Sequence, residues 1–149
     1  MYWSAYGMIQ GAEMDGSNQR VITLLPRSNY GHYPHQVQGL ALDIPNNRIY
    51  FICQSLSSLM YVDLNHGNRT AQTLFGGKTW YPDLGAFGIA VDEQYVYFVL
   101  YYGGYKVYRT NKTRSDGYLQ LTIDYYPRGI IVQKGKPTRN GKYNLVLWV

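Results

Sequence analysis

Short apolar segments follow one another along the whole chain, and Gly, Pro, Asn or Asp residues bound most of them. The clearest set predicts four strands, at residues 36–44, 48–53, 58–64 and 70–75. No segment keeps the helical period of about 3.6 residues over roughly ten positions, so we expect essentially no long helix. The pattern therefore predicts an all-β fold.

The chain repeats itself at intervals of roughly forty to fifty residues, which is the most informative feature of the sequence. Gly39–Asp43 has the sequence GLALD, Gly88–Asp92 has GIAVD, and Gly129–Gln133 has GIIVQ as a weaker third copy. A second motif, which begins with an aromatic pair, occurs at Tyr2–Ala5, Tyr50–Cys53 and Tyr97–Leu100. Four short antiparallel strands in each such repeat are the signature of a β-propeller blade. We expect the blades to pack side by side, since one isolated sheet cannot bury both of its faces.

Composition agrees with this prediction. The 149 residues suffice for one ordinary domain, and 17 tyrosines and 16 glycines suit half-buried strands and tight turns. The formal net charge of +5 arises in the C-terminal part, where no acidic residue balances Arg128, Lys134, Lys136, Arg139 and Lys142. Basic residues in one segment that also contains Gly and Pro are typical of a solvated connector, so we expect no nucleic-acid partner.

Two features bear on cellular location. The longest apolar run, Tyr95–Tyr102, is too short to span a bilayer, so we expect no direct membrane insertion by this segment. The chain does not open with a basic region and an apolar core, and we expect the signal peptide to belong to a longer parent chain. The single cysteine, Cys53, lies in an apolar run, which indicates a small buried hydrophobe rather than a nucleophile.

Two patterns have parts of catalytic or metal-binding motifs, and both are incomplete. Gly76–Thr79 has the end of a phosphate-binding loop, but Gln72 stands where the first glycine belongs and no helical pattern follows. His32 and His35 have a spacing found in metal sites, yet no nearby Cys, Asp or Glu completes a ligand set. We therefore predict no catalytic residues, no metal, no cofactor and no enzymatic activity.

Three stretches of the chain resemble the YWTD repeat, also called the class B repeat of the low-density lipoprotein receptor. They are Tyr2-Trp3, Met14–Arg20 and Gly39–Asp43, and the resemblance extends to about Lys136. It implies a six-bladed propeller in which the YWTD strand is the second of each blade. Such propellers act as extracellular modules that bind protein ligands, often beside EGF-like modules.

The motif differs from the family pattern at its last position. The Asp that ends YWTD is replaced by Ala5, Cys53 and Leu100 in the three copies. The polar contacts of that Asp must therefore be absent or replaced in this chain. The departure leaves the fold prediction in place but identifies no particular receptor.

We predict an all-β, partial β-propeller of about three to four four-stranded antiparallel blades from a six-bladed ring. The propeller fragment would comprise residues 1–136. Its repeats would lie at about 1–35, 36–84 and 85–126, and the last repeat would start at 127–136. Residues 137–149 would form either a closing strand or a basic connector. The resemblance implies the ectodomain of a lipoprotein-receptor-related or similar multidomain receptor with an extracellular protein ligand. The alternative is a propeller enzyme, hydrolase- or lactonase-like, or a bacterial YWTD-like propeller of unknown ligand.

Strand parity assigns the turns to the two ends of each blade. The first-to-second and third-to-fourth turns share one end, which collects Asn46, Asn47 and two sequons, and we expect glycans on Asn68 and Asn111. The other end collects aromatic residues with polar tips, which are frequent in protein-binding patches. The alternative is that these rings only cover the ends of the blades. The predicted ligand-binding residues are Tyr30, His32, Tyr33, Trp80, Tyr81, Tyr102 and Tyr105, with Tyr6 at the same end.

Overall fold

The computed structural model describes residues 1–25, 36–56, 58–65, 69–76, 86–101, 105–113, 118–123, 127, 129–134 and 143–148. These residues contain strands, one 3₁₀ turn at Gln54–Leu56 and no α-helix, so the prediction of an all-β fold is confirmed. The strands are β1 (Tyr2–Ala5), β2 (Met8–Gly11), β3 (Arg20–Leu24), β4 (Val37–Asp43), β5 (Arg48–Cys53), β6 (Ser58–Asp63), β7 (Gln72–Gly76), β8 (Ala86–Val91), β9 (Tyr95–Tyr101), β10 (Tyr105–Asn111), β11 (Tyr118–Ile123), β12 (Gly129–Lys134) and β13 (Tyr143–Trp148).

The strands form four antiparallel sheets in which strands adjacent in the chain are paired. We name them blade 1 (β1–β3), blade 2 (β4–β7), blade 3 (β8–β11) and blade 4 (β12 and β13). Blades 2 and 3 each have four strands, and β5 and β9, which begin two residues before the aromatic pair of the second motif, are the second strands. Neighbouring blades contact one another through their first strands, β4 with β8 and β8 with β12.

Apolar side chains fill the layers between blades. On β5, Ile49, Phe51 and Cys53 pack towards blade 1, whereas Tyr50 and Ile52 pack towards blade 3. Successive side chains of a strand point to opposite faces, and both faces of this strand are covered. The strand is therefore apolar at nearly every position instead of alternating with polar residues. Full burial of an Ile or Phe side chain contributes about 1.5–3 kcal/mol, so these layers are the main attachment between blades.

The recurring glycine of the first motif lies where the first strands of neighbouring blades approach closely. Gly39 has a φ of +77°, and a Cβ atom there would lie 2.9 Å from Cγ2 of Ile89 in the next blade. A Cβ atom on Gly88 would lie 3.0 Å from Cγ2 of Ile130 in blade 4. In both cases the isoleucine directly follows the glycine of the next copy. The motif therefore repeats because each glycine accommodates the following blade.

Blades 2 and 3 each contain a cation–π pair between the second and third strands, and the arginine and tyrosine occupy opposite strands in the two blades. The Arg48 guanidinium on β5 lies 4.8 Å from the ring centre of Tyr61 on β6. In blade 3 the ring belongs to Tyr95 on β9 and the guanidinium to Arg109 on β10, at 4.3 Å. Arg48 and Tyr95 are equivalent, because each begins its strand two residues before the aromatic pair. The repeat thus keeps the contact between its second and third strands, but not the order of the residues.

Candidate functional site

Hydrogen bonds between turns define the two ends of the blades. At one end, the Leu64 N–H donates to the Asn47 carbonyl at 2.8 Å, which joins the third-to-fourth turn of blade 2 to its first-to-second turn. At the opposite end, the Gln54 N–H donates to the Gln36 carbonyl at 3.0 Å, which joins the second-to-third turn to the start of the blade. We call these the polar end and the aromatic end. The turns of blade 2 therefore lie where strand parity puts them.

The turn between β1 and β2 consists of Tyr6 and Gly7. Because β1 carries the second motif, it corresponds to the second strands β5 and β9, and this second-to-third turn lies at the aromatic end. Their φ values are +43° and +78°, so both residues occupy the left-handed region, as in a type I′ hairpin turn. Asn, Asp or Gly normally takes the first position, because the left-handed backbone costs other residues about 1–2 kcal/mol. Tyr6 takes it here, and the residue is 88% exposed. The chain thus keeps an unfavourable residue at a turn that holds its ring in solvent.

Tyr105 belongs to the predicted ligand-binding set and lies within the described residues. It is half-buried, begins β10, and is paired in register with Tyr101 of β9. As the first residue of a third strand it lies at the aromatic end of blade 3, as Tyr6 does in blade 1. The other predicted ligand-binding residues lie outside the described ranges, and their role stays a prediction: Tyr30, His32, Tyr33, Trp80, Tyr81 and Tyr102.

The sequon Asn111-Lys112-Thr113 follows β10 at the polar end. Oδ1 of Asn111 accepts hydrogen bonds from the Thr113 N–H at 2.9 Å and from the Thr113 hydroxyl at 2.8 Å. The sequon is therefore closed into a tight Asx-type turn, with Asn111 half-buried. Asn68 of the other sequon lies outside the described residues, and glycosylation of either asparagine stays a prediction.

Lys112, in the middle of this sequon, points into the layer between blades 2 and 3. Its Nζ atom lies 2.6 Å from Oδ2 of Asp43, and the two side chains are 5% and 2% exposed. The amide of Asn46 donates to the same Oδ2 at 3.0 Å. Asp43 is the last residue of the first motif. No local pattern connects it to a lysine that is 69 residues away in the chain.

Asp92, the equivalent of Asp43 in blade 3, bonds within its own blade. Oδ1 accepts hydrogen bonds from the N–H groups of Gln94 and Tyr95 at 2.8 and 2.7 Å, and Oδ2 accepts one from the Tyr97 hydroxyl at 2.7 Å. Burial, together with the bond to Asp92, raises the pKa of Tyr97 well above its ordinary value. The carboxylates of these two copies of the first motif therefore make structural contacts.

A pocket of about 180 Å³ opens between blades 1 and 2. Nε of Arg69 is buried and has no hydrogen-bond partner among the described residues. Arg20 is 47% exposed, and its guanidinium lies 3.9 Å from the carboxylate of Glu13. Sequence reasoning missed this site, because its residues come from separate blades. The lining residues include two cations and no anion: Tyr2, Arg20, Ile22, Asn47, Leu64 and Arg69.

Cys53 is buried in the layer between blades 1 and 2. Burial raises the pKa of its thiol, and its Sγ atom lies 3.7 Å from the hydroxyl oxygen of Ser55. A buried and protonated thiol behaves as a small hydrophobe.

Within the described ranges, no three His, Cys, Asp or Glu side chains are close enough to hold a metal ion, and His32 and His35 lie outside these ranges. No helix in this part of the chain has the length and apolar character needed to cross a membrane.

Comparison with known proteins identifies the fold but not the family. No protein-family model matches the chain, and no curated protein matches its sequence. A solved structure of the nidogen/laminin complex contains a similar chain, with a TM-score of 0.63 and 16% identity. The similarity covers 87% of this chain but 46% of that one, so this chain spans less than half of its length. Together with the succession of antiparallel sheets, this likeness shows that the chain has an all-β, partial β-propeller fold.

Proposed function

We propose that the chain is part of an extracellular, non-enzymatic propeller that binds a protein ligand through the aromatic end of its blades. The observation that carries the proposal is the turn of Tyr6 and Gly7. A tyrosine that is in the left-handed region and 88% exposed costs stability and makes little intramolecular contact in return. Strained positions of this kind cluster at ligand sites, and tyrosine is enriched among the residues that dominate protein–protein binding.

A second tyrosine supports the same end. Tyr105 begins β10, at the second-to-third turn of blade 3, and Tyr6 occupies the corresponding turn of blade 1. Turns on a rigid scaffold are the usual carriers of binding residues. Tyr30, His32, Tyr33, Trp80, Tyr81 and Tyr102, which the sequence assigns to this end, would complete the patch.

The resemblance to YWTD repeats and the fold likeness support a protein ligand. The similar solved structure is of a complex between two proteins, nidogen and laminin. By extension, we propose that this chain belongs to the YWTD-type propellers and to a receptor-like multidomain protein with neighbouring EGF-like modules. The hydrogen bonds of Asp43 with Lys112 and of Asp92 with Tyr97 support a binding role over catalysis, because they give both carboxylates structural partners.

The sequons support the extracellular part of the proposal. Secretion of the chain from a eukaryotic host, followed by peptide mapping, should find glycans on Asn68 and Asn111. Secreted, folded protein with both asparagines unmodified would count against an extracellular location.

Binding is tested by screening the secreted chain against a panel of purified extracellular-matrix and cell-surface proteins. For a bound protein, Tyr105→Ala, Trp80→Ala and Tyr33→Ala should each weaken binding by about 1–3 kcal/mol. Glu93→Ala changes an exposed turn at the polar end and is the matched control, which should alter binding little. Equal losses from both ends, or the absence of any bound protein, contradict the proposal.

A further inference from the structure

Neither arginine of the pocket between blades 1 and 2 has a close ion pair among the described residues. Nε of Arg69 is buried without a hydrogen-bond acceptor among the described residues, which is costly for a charged donor. The ion pair of Arg20 with Glu13 is long, at 3.9 Å, and both side chains are about half exposed. Such a pair contributes little to stability and leaves the guanidinium available to a better acceptor.

The pocket is larger than one small inorganic ion. Its volume is about 180 Å³, and Tyr2, Ile22 and Leu64 line it together with the two arginines. Since one water molecule takes up about 30 Å³ of the liquid, the pocket has room for a charged group and the carbons that carry it. Asn47 is held in place at the rim by donating its amide to Oδ1 of Asn65 at 2.7 Å.

We propose that this pocket binds the carboxylate of a glutamate or aspartate side chain presented by a protein partner. A guanidinium group matches a carboxylate with two parallel hydrogen bonds, and Arg20 and Arg69 approach from different blades. The methylene groups of the acidic side chain would contact Ile22 and Leu64. The inference rests on the proposed function only in that the partner is a protein. It assigns that partner an additional contact, separate from the aromatic end.

The probe for this site is N-acetyl-glutamate N-methylamide, which carries one side-chain carboxylate and no other charge. Titration into the 149-residue chain should shift the side-chain Nε–H resonance of Arg69 in a saturable way. N-acetyl-glutamine N-methylamide, which is neutral and nearly isosteric, should produce no such shift. Arg20→Gln and Arg69→Gln should each weaken the binding by about tenfold or more. Lys106→Gln removes one positive charge from blade 3 and should leave the affinity unchanged.

Three results would overturn the proposal: an equal response to the glutamine analogue, a response to inorganic phosphate or sulfate but not to the carboxylate, or unchanged affinity in both arginine variants. Arg69 is half-buried, so the fold of each variant is checked by the dispersion of its amide resonances. Arg20→Gln changes a half-exposed side chain and keeps the test decisive if Arg69→Gln does not fold. Failure here leaves the proposed function standing, because binding through the aromatic end is measured independently with Tyr105→Ala.

Discussion

The ammonium group of Lys112 lies 2.6 Å from the carboxylate of Asp43, although the two residues are 69 positions apart and belong to different blades. Because both side chains are almost fully buried, neither charge can be solvated when the other is removed. This pair joins blades 2 and 3 at the polar end of β4. Gly39 and Ile89 join the same two blades near the opposite end of that strand.

Lys112→Ala should lower the free energy of unfolding by about 3–5 kcal/mol, because it leaves the carboxylate of Asp43 buried and unpaired. Denaturant titration measures the loss. Glu13→Gln removes one partner of an exposed pair and should cost less than about 1 kcal/mol. Replacing both buried charges, in Lys112→Met with Asp43→Leu, should restore most of the stability. A Lys112→Ala loss no larger than that of Glu13→Gln contradicts the role assigned to the pair.

Local sequence signals were sufficient to predict the strands of blade 2. The expected segments 36–44, 48–53, 58–64 and 70–75 correspond to Val37–Asp43, Arg48–Cys53, Ser58–Asp63 and Gln72–Gly76. Apolar runs and turn residues such as Pro45 act over a few positions, and they determine where a strand begins and ends.

Contacts between blades could not be predicted in this way. The pairing of Lys112 with Asp43 and the pocket that Arg20 and Arg69 both line depend on how two sheets stack, which no short segment encodes. One further contact did have a signal in the repeats. Aligning the two copies at their aromatic pairs places Arg48 opposite Tyr95 in the alignment, which indicates a contact whose partners have exchanged positions.

Two glycine variants separate the effect of close packing from that of backbone strain. Gly39 and Gly16 have φ values of +77° and +85°, so an alanine is strained at either position. A Cβ atom on Gly39 would also meet Ile89 at 2.9 Å, whereas one on Gly16 would meet nothing within 4 Å. We expect Gly39→Ala to lose more stability than Gly16→Ala, by at least about 1 kcal/mol, as measured by denaturation. Equal losses would show that the close approach of blades 2 and 3 at Gly39 adds nothing to the destabilisation caused by backbone strain.

Tyr6→Asn should stabilise the chain and weaken ligand binding. Asn adopts the left-handed region readily, so we expect a gain of up to about 1 kcal/mol in the free energy of unfolding. Met14→Asn is the matched control, because Met14 is also an exposed apolar residue, at 83%, and has no positive φ to relieve. It should change neither quantity appreciably. A Tyr6→Asn variant that is less stable than the parent chain contradicts the strain assigned to this turn.

Stability should decline in alkaline solution. Burial raises the pKa of the Cys53 thiol above its ordinary value and, despite a smaller opposing effect of Arg48, does the same for the Tyr50 hydroxyl. The folded state therefore favours the protonated forms, and their contribution is complete below these ordinary values. It is lost as the pH rises above about 9, because the unfolded chain then releases protons that the folded chain retains. Thermal unfolding measured between pH 7 and pH 11 should show a progressive decline.

Tyr50→Phe should reduce this decline and stabilise the chain at pH 7. The hydroxyl of Tyr50 is buried near the Arg48 guanidinium, which partly opposes the effect of burial on its pKa, but it makes no hydrogen bond of good geometry among the described residues. Its removal should therefore gain about 1 kcal/mol. Tyr61, directly opposite on β6, donates its hydroxyl to Gln72 at 2.6 Å. Tyr61→Phe is the matched control and should be less stable than the parent, by about 0.5–1.5 kcal/mol. The same sign of change in both variants would contradict this account.

The burial of Lys112 within its own sequon sets an order of events during synthesis. An enzyme can take up Asn111-Lys112-Thr113 only after Lys112 leaves Asp43 and the Asx-type turn opens, which requires blades 2 and 3 to be apart. Any glycan on Asn111 is therefore added while the chain is still emerging or incompletely folded. The glycosylated fraction of Asn111 then depends on the rate of modification relative to the rate at which blades 2 and 3 pack together. Slower folding gives a more fully glycosylated protein.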